Sequence, residues 1–411
     1  MSDQPIRLLD LSREELRAQM SAWGEPAYRA DQVRQWLYKQ LATDPAEMTS
    51  LPAALRARLA QEARIELLEP VTETRSSDGE TTKTLFRLHD GQLIETVLMR
   101  YRRRNTVCIS SQAGCGMGCT FCATAQMGLQ RNLTPGEIVA QVLYFERELR
   151  RRKAEDGGRR TEGREMGSDV PDSGLRITHY GSRITGHGLR ASDHRSRITN
   201  VVVMGMGEPL ANYGNLWRAL HSLVDPDGFG LGARRITVST VGLVPAIDRF
   251  AQEDLQVGLA VSLHAPDDAL RSTLVPVNGR YPIAQVIDAC RRYVDQTHRR
   301  VTFEYALMRG INDGRETAQA LADLLQGLLC HVNLIPLNPV QDSPYQPSRP
   351  EDAAAFVETL AQRGIPATLR VRRGIDIDAG CGQLRARVAA GAVERGEATG
   401  QSSTRRAHSH Q

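Results

Sequence analysis

No stretch of the 411-residue sequence approaches the roughly 20 consecutive apolar residues that cross a bilayer, so no membrane protein is expected. The opening residues, MSDQPIRLLDLSREEL, lack a basic segment followed by an apolar one; no secretory signal is read there, and a cytoplasmic protein is expected. Charge of one sign is barely in excess. The net charge of +4 is too mild, over a chain of this length, to define a nucleic-acid binder. Local clusters say more: Arg100, Arg102, Arg103 and Arg104 lie together, and pairs occur at Arg234-Arg235, Arg291-Arg292, Arg299-Arg300 and Arg372-Arg373. Each alone reads as a solvated face; phosphate contacts follow only if several gather around one cleft. A disulfide framework is missing too. The seven cysteines are odd in number and three crowd into residues 115–122, which points to metal or redox chemistry in a reducing compartment.

What is present divides the chain. Residues 1–70 read as a small helical domain of their own. Ser12 and Glu15 form a capping-box pattern, Gly24-Glu25-Pro26 breaks the chain, and ADQVRQWLYKQL carries apolar residues at helical spacing. Residues 71–100 read as a β-hairpin extension, with TLFRLHD and QLIETVLMRY joined through Asp90-Gly91. A core then runs over 101–387. Strand-like runs at 200–204, 235–241, 257–263, 301–307 and 331–336 alternate with helical stretches, and the strand carrying Cys108 makes six. Repeated strand–helix units predict an α/β fold with parallel strands and helices outside; periodicity alone leaves an open sheet and a partial barrel both possible. Within the core, residues 153–197 are Gly-, Arg- and Ser-rich and repeat RIT, so they read as a low-complexity insertion. Residues 388–411 read as a disordered tail.

The triplet SQAGCGMGCTFCATAQMG has the spacing Cys-x3-Cys-x2-Cys, on a loop after the strand NTVCISS. Structural zinc is the plainer reading, but it takes four ligands, usually as two separated pairs, and no second pair stands nearby. Three thiolates at Cys115, Cys119 and Cys122 can instead hold three irons of a cubane and leave the fourth open. S-adenosylmethionine (SAM) could chelate that open iron through its amino and carboxylate groups. Gly114, Gly116 and Gly118 let the backbone wrap closely around an inorganic core, and Phe121 supplies an apolar cover. With its aromatic residue directly before the third cysteine, the triplet resembles the radical SAM signature. That resemblance implies a partial (β/α)6 barrel with one 4Fe–4S cluster per chain.

Polar groups recur at the predicted C-terminal ends of later strands, where ligands sit in parallel α/β folds. NVVVMGMGEPL places Gly207 and Glu208 there, TVST places Ser239, VSLHAP places Ser262, Leu263 and His264, and IPLNP places Asn338. Singly these read as a cap, a turn or a satisfied core histidine; together they favour a bound ligand.

Two further cysteines stand out: Cys108, seven residues before the triplet, and Cys381 in RRGIDIDAGCGQL. Cys290 and Cys330 read as core. The set VCISSQAGCGMGCTFCATAQMG, MGMGEPLAN, SLHAP, IPLNP and RRGIDIDAGCGQL resembles the bacterial dual-specificity RNA adenine-C2 methyltransferases, the RlmN family, from the helical N-terminus to about residue 387 with the insertion excluded.

The resemblance implies methylation of adenosine C2 in 23S rRNA at the peptidyl-transferase region and in tRNA just 3′ of the anticodon. It implies that Gly207 and Glu208 contact the methionine part of SAM. It also implies two SAM molecules per turnover. One methylates Cys381; the second yields a 5′-deoxyadenosyl radical that takes hydrogen from that S-methyl group. The methylene radical adds to C2, Glu95 in GQLIETVLMR removes the C2 proton, and Cys108 releases product through a transient disulfide with Cys381. Read by itself, Glu95 is an outward-facing strand carboxylate. An external one-electron reductant such as flavodoxin is expected, as is a monomer. Residue chemistry alone does not choose between adenine C2 and C8; the N-terminal extension and the motif wording point to C2. A zinc- or iron-containing RNA-binding or redox-sensing protein without catalysis is the reading from another class, and the strand-end segments speak against it.

Overall fold

The computed structural model describes residues 5–162, 196–338 and 344–370. Among them ten strands form one sheet in strict sequence order. Strands β1 (Glu69–Arg75), β2 (Thr81–Arg87) and β3 (Leu93–Tyr101) run antiparallel into β4 (Arg104–Cys108). From β4 every neighbour is parallel: β5 (Asn200–Val203), β6 (Ile236–Thr240), β7 (Gly258–Ser262), β8 (Val301–Leu307), β9 (Cys330–Pro336) and β10 (Ala367–Leu369). The six expected parallel strands all form, and β10 adds a seventh that three residues were too few to announce. Strand β1 was missed for another reason. Its EPVTETR shows no apolar alternation, because β1 lies at the sheet's edge with no buried face to impose it.

Helices connect the parallel strands; β5, β6 and β9 alternate buried with half-buried residues, whereas Leu259, Ala260 and Val261 of β7 are all buried. Helix Ile283–Thr297 shows the matching pattern, burying Ile283, Val286, Ile287, Cys290 and Tyr293 at helical spacing. Cys290 and Cys330 belong to this core. No helix among the described residues is long and apolar enough to cross a membrane.

The N-terminal helices Arg13–Ala22, Tyr28–Gln35 and Ala53–Glu62 precede the sheet. Ser12 Oγ accepts from Glu15 N at 3.2 Å while Ser12 N donates to Glu15 Oε2 at 2.7 Å, completing the capping box. Arg34, 4% exposed, pairs with Asp225 at 2.7 Å and ties these helices to the core.

The first ten residues of the stretch 153–197, read from composition as a low-complexity insertion, are helical. Helix Pro135–Glu162 runs on through residues 153–162, since Arg151 bridges Glu148 and Glu155 on its surface and no proline stops it. The chain returns at Ser196, which is buried. There Asn105 Nδ2 donates to Arg197 O at 2.9 Å, and Ile198 N donates to Glu146 Oε2 at 2.7 Å. Residues 163–195 lie outside the described residues, as do Cys381 and the tail.

Candidate active site

A cavity of about 660 Å³ opens where the parallel strands end, walled on one side by β3. Strand periodicity builds that wall: Glu95, Val97, Met99 and Tyr101 alternate toward the cavity. Val97 pairs with Cys108 across the β3–β4 ladder, which sets Glu95 and Cys108 on one face, two residues apart in register. Glu95 is therefore not the outward-facing carboxylate that its strand alone implies. It is 3% exposed, and its Oε2 lies 2.7 Å from Nζ of Lys83, which is fully buried on β2. Burial pushes the Cys108 thiol up to about 11, against the opposing pull of the nearby Arg370 and Lys83 charges.

The cysteine loop closes the far side. Gly114 sits at φ +80°, and a Cβ there would lie 1.9 Å from Gly128 O, so the loop's first turn admits only glycine. Cys122 and Phe121 line the cavity, whereas Cys115 and Cys119 lie buried beneath it. Burial pushes the Cys115 thiol up to about 11. Cys119 is raised further, by burial and then by both neighbouring thiols. Met117, Phe121, Leu274, Val275 and Leu337 pack in one cluster with Cys119 and Cys122.

Two buried thiols, with Cys122 beside them at the cavity wall, suit a cationic iron–sulfur core, which would hold all three as thiolates. Among the described residues no group of three His, Cys, Asp or Glu stands in single-ion geometry. A cubane takes each thiolate on a different iron and so spreads its ligands more widely than one ion does.

The strand ends supply the remaining walls. Gly207 has φ +107°, and a Cβ there would meet Gln112 Cβ at 2.6 Å. Glu208 is fixed beside it, its own N donating to Gln112 Oε1 at 2.8 Å. The Glu208 carboxylate accepts from Leu210 N at 3.0 Å and Val241 N at 2.8 Å. Burial outweighs these bonds and raises it to about 7. Ser239 and Ser262 stand with hydroxyls 3.4 Å apart. His264 adopts φ +62° and accepts at Nδ1 from Ala306 N at 3.0 Å, which leaves its proton on Nε2. Burial pushes this imidazole down to about 3, so it is neutral at physiological pH.

Gly207, Glu208, Ser239, Ser262, His264 and Asn338 all line the cavity. Leu263 does not. Its side chain points into the core, and its backbone is occupied, N donating to Glu304 O at 3.0 Å and O accepting from Arg271 Nε at 3.1 Å.

Three charged residues at or beneath this cavity carry no motif in the sequence. Lys83 is the buried partner of Glu95. Glu304 on β8 lines the cavity, accepts from Asn333 Nδ2 at 2.9 Å and lies 3.9 Å from Arg370; burial raises its pKa. Arg271 is buried below the strand ends. Glu304 alternates with Phe303 and Tyr305 along β8, which sets it on the opposite face from them; Lys83 in TTKTLFR carries no such signal.

A run of parallel strands with a three-cysteine loop after the first of them, opening on a cavity at the strand ends, defines a radical SAM enzyme. The sequence profile of the Radical SAM superfamily matches residues 188–324, and that of the ribosomal RNA large subunit methyltransferase N-terminal domain matches residues 6–65.

A protein of Roseiflexus sp. (strain RS-1), named probable dual-specificity RNA methyltransferase RlmN, is 50% identical over 386 residues, covering 92% of this chain and 95% of that one. A protein of Parafrankia sp. (strain EAN1pec) with the same name is 51% identical over 389 residues, covering 94% and 93%. The crystal structure of a radical SAM methyltransferase from Sphaerobacter thermophilus superposes with a TM-score of 0.79 at 51% identity, covering 92% of this chain and 99% of that one. The chain belongs to the RlmN family of radical SAM RNA methyltransferases.

Proposed function

We propose that this enzyme methylates C2 of adenosine in 23S rRNA and in tRNA, through a methyl-cysteine on Cys381 and a transient Cys108–Cys381 disulfide. The observation that carries the reading is the convergence of Glu95, Cys108 and Cys122 on one cavity whose rim is the strand-end set. The names of the relatives, which specify RNA and dual specificity, support the substrate class. Adenine C2 bears a C–H that is not readily deprotonated and has no lone pair to attack a sulfonium methyl, so ordinary methyl transfer fails there.

Cys115, Cys119 and Cys122 would hold one 4Fe–4S cluster. When bound, the cluster and two molecules of SAM supply the carbon-centred radical and the methyl group. The protein does the rest. Gly207, Glu208, Ser239, Ser262, His264 and Asn338 orient SAM, with Leu263 shaping the turn from beneath.

The Cys381 thiolate takes the methyl group from the SAM sulfonium and carries its carbon to adenine C2, tethering the RNA. Glu95, held by Lys83, removes the C2 proton, and the adduct must also give up its one unpaired electron, to the cluster when that is bound. The Cys108 thiolate then attacks the Cys381 sulfur, and the S–C bond breaks with its electron pair going to the methylene carbon, which takes a proton and becomes the methyl group.

Residues 1–70 act as an RNA-binding accessory domain, 71–100 as a β extension and 101–387 as the catalytic core. The enzyme works as a cytoplasmic monomer with an external one-electron donor such as flavodoxin. Mass spectrometry of nucleosides from RNA incubated anaerobically with reconstituted enzyme, SAM and reductant tests the reading. 2-Methyladenosine that disappears in Cys381→Ala is expected; 8-methyladenosine, or product retained in that variant, overturns it.

A further inference from the structure

Arg271 is 0% exposed, yet among the described residues no carboxylate lies within ion-pair distance of it. All of its hydrogen bonds go to neutral acceptors. Nε donates to Leu263 O at 3.1 Å, Nη1 to Asn278 Oδ1 at 2.8 Å, and Nη2 to Val241 O at 2.6 Å and Ser262 O at 3.3 Å. Asp268 is reached only through Asn278, whose Nδ2 donates to it at 3.0 Å, and its own side chain is exposed to water. A buried charge without a counter-charge is strongly unfavourable. These four neutral acceptors fix the guanidinium in place but leave its charge uncompensated.

What lies beside Arg271 is the cysteine loop. Its helix, Asp268–Leu274, is the platform on which the cysteine loop rests. Thr120 N donates to Leu274 O at 3.0 Å, Thr120 Oγ1 donates to Thr273 O at 3.2 Å, and Cys119 packs against Leu274 and Val275. Burial lowers the Arg271 pKa, and the nearby Cys119 and then Asp268 oppose that shift. Three thiolates on a cubane make it net anionic, and one-electron reduction adds a further negative charge. Cluster potentials respond to net charge, hydrogen bonding and solvent exposure.

We propose that Arg271 is the buried counter-charge of the iron–sulfur cluster: its fixed cation, set in a dry scaffold beneath the cysteine loop, stabilises the reduced state and so raises the reduction potential. Arg271 is thus a positioning and electrostatic residue, not one that touches substrate. The inference rests on the assignment of the cluster to Cys115, Cys119 and Cys122.

The test is an anaerobic redox titration of the reconstituted enzyme, followed by the electron paramagnetic resonance signal of the reduced cluster, in the absence of RNA. Arg271→Gln should be reduced at least tenfold less readily at a given potential, a shift of about 59 mV downward for one electron. Arg271→Lys, which keeps the charge and loses the fork, should stay much nearer to wild type.

Because Arg271→Gln can fail to load the cluster, Asn278→Asp provides a gentler neutralisation. It places a carboxylate at the 2.8 Å contact without removing the guanidinium. It is made together with Asp268→Asn, because Asn278 Nδ2 now donates to Asp268 Oδ1 at 3.0 Å and two carboxylates there would repel. Ser272 Oγ, 2.8 Å from Asn278 Nδ2, can turn to donate to the new carboxylate. The same downward shift in Asn278→Asp/Asp268→Asn supports the proposal. Fully loaded variants that titrate with the wild-type protein overturn it. A wild-type enzyme with no reducible cluster overturns the underlying cluster assignment as well, which separates the two failures.

Discussion

Lys83 Nζ stands 2.7 Å from Glu95 Oε2, and both side chains are sealed from solvent at the wall of the active-site cavity. Removing one member of such a pair strands the other charge. Lys83→Met should therefore destabilise the protein by roughly 3–5 kcal/mol, whereas the double variant Lys83→Met/Glu95→Leu should recover most of that loss. Denaturant titrations of wild type, single and double variants check this. The double variant should still yield no methylated nucleoside, and equal instability of single and double would show that the two groups are not coupled.

The cysteines separate in their phenotypes. Cys381→Ala should leave reductive cleavage of SAM to 5′-deoxyadenosine intact while abolishing methylation. Cys108→Ala should instead accumulate a covalent protein–RNA adduct, visible as a shifted band in denaturing electrophoresis. Normal turnover in Cys108→Ala would remove that residue from the mechanism.

Gly207 combines a positive φ with a backbone that lies against Gln112, so a methyl group there displaces the turn that carries Glu208. Gly207→Ala should weaken SAM binding by at least tenfold, about 1.4 kcal/mol, as read by equilibrium dialysis with labelled SAM. Gly116, whose added Cβ would meet nothing closer than 3.5 Å, should tolerate the same substitution.

His264 contributes a pH dependence of stability. Its pKa is about 3 in the fold against an ordinary 6.5, because burial disfavours the imidazolium. On acidification the unfolded chain takes up this proton first. The stability held by the neutral ring is complete above 6.5 and is lost as pH falls from 6.5 toward 3, with a slope of at most about 1.4 kcal/mol per pH unit. Melting curves across that window should be shallower in pH for His264→Asn than for wild type.

Arg102, Arg103 and Arg104 are exposed at the turn between β3 and β4, and Arg104 stacks on Tyr101 at 4.4 Å at the cavity's edge. If they meet phosphates, changing all three to Gln should reduce the slope of log affinity against log salt by about 2–3, since each contact carries roughly 0.7–0.9. An unchanged slope would place the RNA elsewhere.

Much of the architecture was legible along the chain because its cause is local. Alternation and helical spacing mark which faces must leave water, so the six parallel strands and their helices could be read directly. The Ser12–Glu15 cap could be read for the same reason. The cysteine spacing belongs to a single loop, and the glycine at 114 answers a steric demand within it. Edge strand β1 and the three-residue β10 escaped because neither buries a face long enough to leave a pattern.

The residues that escaped at the site are those whose partners are set by register. Lys83 in TTKTLF looks like a solvated strand lysine until the β2–β3 ladder sets it beside Glu95. Arg271 in DALRSTL looks like an ordinary surface arginine until the helix folds under the cysteine loop. Leu263 shows the converse. It adjoins two cavity residues in sequence, but beyond the end of β7 its side chain turns into the core while Ser262 and His264 face the cavity.

By itself, then, the sequence determined the chemistry on offer: three thiols spaced for a cluster, a parallel α/β frame, and polar groups at strand ends. Only the tertiary structure decided which charges stand together in the dry interior. Coulomb energy and desolvation depend on distance and burial, and both are properties of strand register and packing rather than of order along the chain.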